Sequence, residues 1–119
     1  MATPQQRVIP TVEWSGASGS KYKYWVNSLP FSCDPDQPGN YIFSKIVDNV
    51  WVPIYIGEGD LNVRCNDREH YPCARLKGAT YLHCHTQPVE TARLAEERDL
   101  LAGHPSAYAP KGCNQRLGG

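Results

Sequence analysis

Gly39-Asn40-Tyr41-Ile42-Phe43-Ser44-Lys45-Ile46-Val47-Asp48-Asn49-Val50-Trp51-Val52-Pro53-Ile54-Tyr55-Ile56-Gly57 is the stretch that decides the fold. β-Branched and aromatic residues fill both arms, and Asp48-Asn49 between them is the residue pair that a tight hairpin turn prefers. The stretch therefore reads as strand, turn, strand. Pro53 has no N–H to give to a ladder, so the second strand should be bulged there or leave that edge unpaired. A turn centred on Asp48 sets Tyr41 directly across from Tyr55, so that both rings rise from one face. A turn centred half a step away sets Tyr41 opposite Ile56 instead.

Downstream, Gly57-Glu58-Gly59 ends the strand, and Asp60 is suited to cap a helix over about Leu61–Glu69. Arg64 and Arg68, four residues apart, would share a face of it. Tyr71-Pro72 should terminate that helix. Ala79–His85 gives a third strand, whose alternation puts Tyr81, His83 and His85 on one side. A last helix, capped by Thr86 or Gln87 with Pro88 in its first turn, should run to about Ala102 and stop at Gly103.

On that helix Leu94, Leu100 and Leu101 fall within roughly 60° of Glu97, which sets this carboxylate inside the apolar stripe and Glu96 toward its edge. A core-facing carboxylate needs a cation, a metal or a water-filled cleft. Arg93, one turn earlier, is the structural candidate for a partner.

Upstream, Thr11–Trp14 and Tyr22–Val26 are short β-prone runs joined by a Gly/Ser link, which suggests a hairpin, and 30–38 reads as a loop. The expected architecture is therefore α/β (α+β): a small three-stranded antiparallel sheet flanked by helices, with an N-terminal β-hairpin extension. The expected division is 1–38 as that extension, packed on the main domain, and 39–119 as the main domain. Trp14, Tyr22, Tyr24 and Trp25 could stack on nucleobases, but packing of the hairpin explains them at least as well.

The chain of 119 residues fits one domain. Twelve Lys and Arg balance twelve Asp and Glu, so no overall positive field points to nucleic acid, although a local arginine cluster could still hold a phosphate. Cysteines at 33, 65, 73, 84 and 113 form an odd set without small-scaffold spacing. Free thiols in a reducing cytosol, hence a cytoplasmic protein, are the expectation. Nothing approaches the roughly 18 apolar residues that span a bilayer, so no membrane partner is expected.

With Tyr41, Tyr55, Arg64, Glu97 and Asn114 in this order, in segments reading GNYIF, PIYIGEG, DLNVR, AEERDLL and KGCN, the chain resembles the GIY-YIG nuclease superfamily. Gly39-Asn40-Tyr41 and Tyr55-Ile56-Gly57 match its two strand motifs, Leu61 and Arg64 its helical arginine, Glu97-Arg98-Asp99-Leu100-Leu101 its helical glutamate run, and Asn114 its late asparagine. Asn40 stands where an aliphatic residue is usual. The resemblance spans residues 39–114 and implies a metal-dependent endonuclease that hydrolyses phosphodiesters in nucleic acid, DNA before RNA.

It also implies the roles. Tyr41 is the general base and Tyr55 its positioning partner, Arg64 donates to nonbridging phosphate oxygens, Glu97 binds one Mg²⁺ or Mn²⁺, and Asn114 orients the glutamate or the leaving group's surroundings. Arg68, His70 and Lys77 are candidates for substrate contacts, His70 as a loose match. Self-association as a homodimer would supply a second cutting site. Two other readings compete: a GIY-YIG-like scaffold that binds nucleic acid or protein without cutting, and a zinc module built from Cys65, His70, Cys73, His83, Cys84 and His85, whose spacing is poor for zinc.

Overall fold

The hairpin at the centre closes as a two-residue turn. Asp48 and Asn49 both take positive φ, at 51° and 63°, which matches the twist of the strands on either side. In the computed structural model, which describes residues 10–64 and 69–116, these strands are β3 (Pro38–Val47) and β4 (Val50–Asp60).

The register departs from both expected pairings. It runs Val47↔Val50 to Ser44↔Pro53 and then shifts, so that Phe43 faces Tyr55 and Tyr41 faces Gly57. The cause is Pro53: without an N–H it cannot keep the ladder regular, and the bulge beyond it slips the strand by one residue. Tyr41 and Tyr55 thereby become diagonal neighbours on one face, their ring centroids 5.8 Å apart.

Three further strands complete one antiparallel, curled sheet in the order β1-β2-β5-β3-β4. They are β1 (Thr11–Ser15), β2 (Lys21–Ser28) and β5 (Tyr81–Thr86). The expected three-stranded sheet flanked by helices is therefore corrected to a five-stranded, mostly-β architecture. The reason is the free edge of β5, whose backbone groups need partners: β2 supplies them, pairing Trp25 with Cys84 and Ser28 with Tyr81.

Helix is sparse. α1 (Leu61–Arg64) has 4 residues and α2 (Tyr71–Leu76) has 6, while α3 (Glu90–Gly103) alone is long, with 14. Asp60 does cap α1, accepting from the Asn62 amide at 3.1 Å. Tyr71-Pro72, read as a terminator, opens α2 instead, since proline in a first turn sacrifices no helical hydrogen bond. Among the described residues, no helix is long and apolar enough to cross a membrane.

Each face of the sheet has its own core. On one, Tyr41, Phe43, Leu82 and Cys84 pack with Ile54, Leu61, Ala74 and Cys113. On the other, Ile42 and Ile56 pack with Trp14, Tyr24, Leu100 and Ala107 beneath α3.

The outer edge of β4 is closed by the C-terminal segment. Cys113 donates its amide to Ile54 O at 2.8 Å, and the Asn114 side chain bonds both backbone groups of Ile56, each at 2.9 Å. Gly112 permits this approach, because a Cβ there would lie 2.1 Å from Ala107 O and 2.6 Å from Ile54 O. A Cys73–Cys113 disulfide ties the same segment to α2, and Cys33 is also disulfide-bonded. The expectation of free thiols is thus overturned; among the described residues only Cys84 is free. Cys65 lies outside them.

Candidate active site

α3 lies on the sheet one helical step away from where its leucines pointed. The line Arg93, Glu96, Leu100 faces the strands, with Glu96 6% and Leu100 0% exposed. The neighbouring line Leu94, Glu97, Leu101 lines a groove of about 850 Å³ instead. Glu96, not Glu97, is the carboxylate in the core, and it is satisfied there. Tyr24 Oη donates to it in a short hydrogen bond, and His85 Nε2 meets it at 2.9 Å. The residue that α3 needs as a counter-charge comes from β5, the central strand of the sheet, so no i,i+4 rule on the helix could have found it.

The same network fixes protonation. Burial alone would lower the pKa of His85, but the hydrogen bond and charge of Glu96 outweigh it and raise it. Burial and then the Glu96 charge drive the Tyr24 phenol far up, so it remains a donor. Beside it, Trp14 Nε1 donates to His83 Nδ1 at 2.9 Å, which leaves the His83 proton on Nε2, 3.1 Å from Ser44 Oγ. Burial lowers His83 to about 4, so this imidazole is neutral and structural.

Arg93 does not pair with Glu97. It donates Nε to Glu58 Oε2 at 3.0 Å and Nη1 to the carbonyls of Gln87 and Pro88. Asn40, fully buried, donates Nδ2 to Arg93 O at 3.0 Å, joining β3 to the helix.

The groove is walled by β4, α3 and the C-terminal segment, and it brings Tyr55, His70, Glu97 and Asn114 together. His70 stacks on Tyr55 with centroids 4.2 Å apart and planes at 20°. Glu97 is partly desolvated, which raises its pKa; Glu58 adds to the rise, while Arg64 and Arg98 oppose it. The carboxylate therefore sits in a field of one further acid and two guanidiniums.

Tyr41 does not line the groove. It is 2% exposed and lies behind Tyr55, its hydroxyl end over Gly57, where any Cβ would come within 2.6 Å of the phenol. Arg64 likewise lies against Gly59, whose φ is +138° and where a Cβ would stand 2.9 Å from Nε. Both glycines of the Gly57-Glu58-Gly59 segment thus clear space for a candidate side chain.

One expected contact falls elsewhere. Lys77 is away from the groove, its Nζ held by Pro110 O at 2.7 Å. Arg68 lies outside the described residues. Asn114 reaches the groove wall, but its amide is engaged by Ile56 on both sides, which fits a positioning residue. Sequence reasoning missed Arg98 and Arg116, the latter with its guanidinium 4.1 Å above the Tyr108 ring; both line the groove. A cation two residues after Asn114 was the available signal.

The zinc arrangement is not assembled. Cys73 is in a disulfide, both His83 nitrogens are engaged, and among the described residues no group of three His, Cys, Asp or Glu could hold a metal. Glu97 presents one partly desolvated carboxylate to the groove. No protein-family model matches the chain, and neither does a curated protein or a solved structure.

Proposed function

We propose that this protein is a metal-dependent endonuclease that hydrolyses phosphodiester bonds in nucleic acid, DNA before RNA. The observation that carries the reading is the groove in which Tyr55, His70, Glu97 and Asn114 meet, with Tyr41 packed behind Tyr55 and Arg64 within electrostatic reach of Glu97. Phosphodiester hydrolysis asks for a base, cations around the phosphate and an acid for a metal.

In this reading Glu97 holds Mg²⁺ or Mn²⁺, which when bound neutralises charge at the phosphate. Burial and Glu58 raise the pKa of Glu97, so a cation there relieves an existing cost. Arg64 donates to the nonbridging oxygens as charge grows on them. Tyr41, acting as its phenolate from behind Tyr55, would take the proton of the attacking water, Tyr55 and His70 hold the substrate side of the groove, and Asn114 fixes β4 at Ile56. Arg98 and Arg116 extend the phosphate track. A disulfide such as Cys73–Cys113 persists in oxidising surroundings, so the reading places the working protein outside a reducing cytosol.

One observation favours a scaffold that binds without cutting: the 2% exposure of Tyr41. The two readings separate when labelled single- and double-stranded DNA and RNA are incubated with Mg²⁺ and then with chelator. The nuclease reading expects cutting that chelator stops and that Tyr41→Phe and Glu97→Ala abolish while both variants stay folded. Binding without any cutting supports the scaffold, and cutting unchanged in both variants refutes the assigned site.

A further inference from the structure

A second concavity lies on the Tyr41 face of the sheet. Directly opposed residues share a face, and the register runs Trp25↔Cys84, Cys84↔Tyr41 and Tyr41↔Gly57 across β2, β5, β3 and β4. Trp25 therefore stands in the same row as Tyr41, two strands away, or roughly 10 Å.

The four aromatics of the N-terminal hairpin separate here. Trp14 is 4% and Tyr24 0% exposed, spent on the core, whereas Trp25 is 43% exposed. Trp25 and Phe31 wall a pocket of about 170 Å³, smaller than the roughly 300 Å³ where clefts for drug-sized ligands begin. Cys84 lies in it, and Asn27, Gln37 and Asp34 supply polar atoms. Asn27 Nδ2 spends its hydrogen bonds on Leu82 O and Cys84 Sγ at 3.4 and 3.5 Å, both long. Among the described residues no basic side chain lines the pocket and Asp34 does, so this lining suits a flat, neutral, hydrogen-bonding ring better than a phosphate.

We infer that this pocket takes one unpaired nucleobase of a single-stranded substrate, stacked on Trp25 with its edge toward the Asn27 and Gln37 amides, while the backbone runs toward the Tyr55–Glu97 groove. Base-on-aromatic stacking tolerates any base because every base has a π-face, and side-chain amides add a preference for adenine. The inference rests on the nuclease reading and specifies its substrate: a strand with at least one base free of pairing beside the cut.

The test is binding in chelator, where no cutting occurs, followed by single-turnover cutting in Mg²⁺. A short oligodeoxyadenylate, its RNA counterpart, and the same strands with one abasic position are titrated into the parent, Trp25→Ala and Trp25→Phe. Trp25→Ala is expected to weaken binding of intact strands roughly tenfold, the scale of one stacked base, and Trp25→Phe to restore most of it. An abasic gap at the right position costs the parent the same factor and costs Trp25→Ala nothing more. Saturated cutting rates stay near the parent's, so the loss in kcat/KM lies in KM. Equal binding by Trp25→Ala and parent overturns the base pocket and leaves the nuclease reading standing. A parent that neither binds nor cuts any of the strands overturns both.

Discussion

Replacing Asn114 by alanine should unfold the edge of the groove before it touches chemistry. The side chain, 6% exposed, accepts from Ile56 N at 2.9 Å and donates to Ile56 O at 2.9 Å. It thus stands in for a neighbouring strand at Ile56 on the outer edge of β4. Alanine leaves two buried groups unsatisfied, at about 1–3 kcal/mol each. Water admitted at a sheet edge recovers part of that, so about 2–3 kcal/mol is the expected loss. A chain of 119 residues unfolds with an entropy of about 0.25 kcal/mol/K, and the melting temperature should fall by roughly 8–12 °C. Asn114→Asp retains the acceptor for Ile56 N but sets a carboxylate against Ile56 O, so its loss should be larger at neutral pH and shrink on acidification. Thermal unfolding followed by circular dichroism measures both. An Asn114→Ala protein that melts within a degree of the parent, or an Asn114→Asp protein without pH dependence, would refute the idea that this amide completes the sheet.

Three other outcomes follow from the same geometry. Converting Cys73 and Cys113 to serine opens a loop with a sequence separation of 40 and should cost about 4 kcal/mol on the chain-entropy account; because the bridge holds the segment that carries Asn114, its loss and that of Asn114→Ala should be less than additive in denaturant titrations. Glu97→Gln should raise the metal-free melting temperature by roughly a degree or two, since a carboxylate whose pKa is raised by burial and by Glu58 opposes folding at neutral pH; a lower melting temperature would contradict the stated cause. His85 has a folded pKa above its unfolded one, so its contribution is complete below about pH 6.5 and is lost as pH rises through the folded value; a stability profile that is flat above that pH, or one that Glu96→Gln leaves unchanged, would contradict the Glu96–His85 pairing.

The strands were legible because their signal is local. Alternation and the Asp48-Asn49 turn located β3 and β4, and Pro53 announced the bulge. What the bulge did to the register was not legible, because a proline says that a ladder must break and not how many residues the break consumes. That the five strands form one sheet could not be read either: nothing within Lys21–Ser28 says which free edge it will pair, and β5 lies over fifty residues away in sequence. The helix misled for a sharper reason. Three leucines set the apparent inner face of α3, yet a carboxylate with two partners, Tyr24 and His85, was as acceptable in the core as a leucine, so Leu100 went inside beside Glu96 while Leu94 and Leu101 line the groove. Of the site residues, Tyr55, Glu97 and Asn114 line one groove with His70, whereas Tyr41 and Arg64 stand behind it on the two glycines of β4. Trp25 could not be told from Tyr24 in sequence, because the alternation of β2 fixes opposite faces and not which face is covered.

The central claim is that the groove beside β4 cuts nucleic acid through Glu97. Single-turnover cutting of labelled single-stranded DNA in Mg²⁺, run side by side for the parent and a Glu97→Gln protein shown to be folded, tests it most directly. Cutting by the parent that chelator abolishes, and none by Glu97→Gln, is the expected result. Equal rates from the two proteins would contradict it.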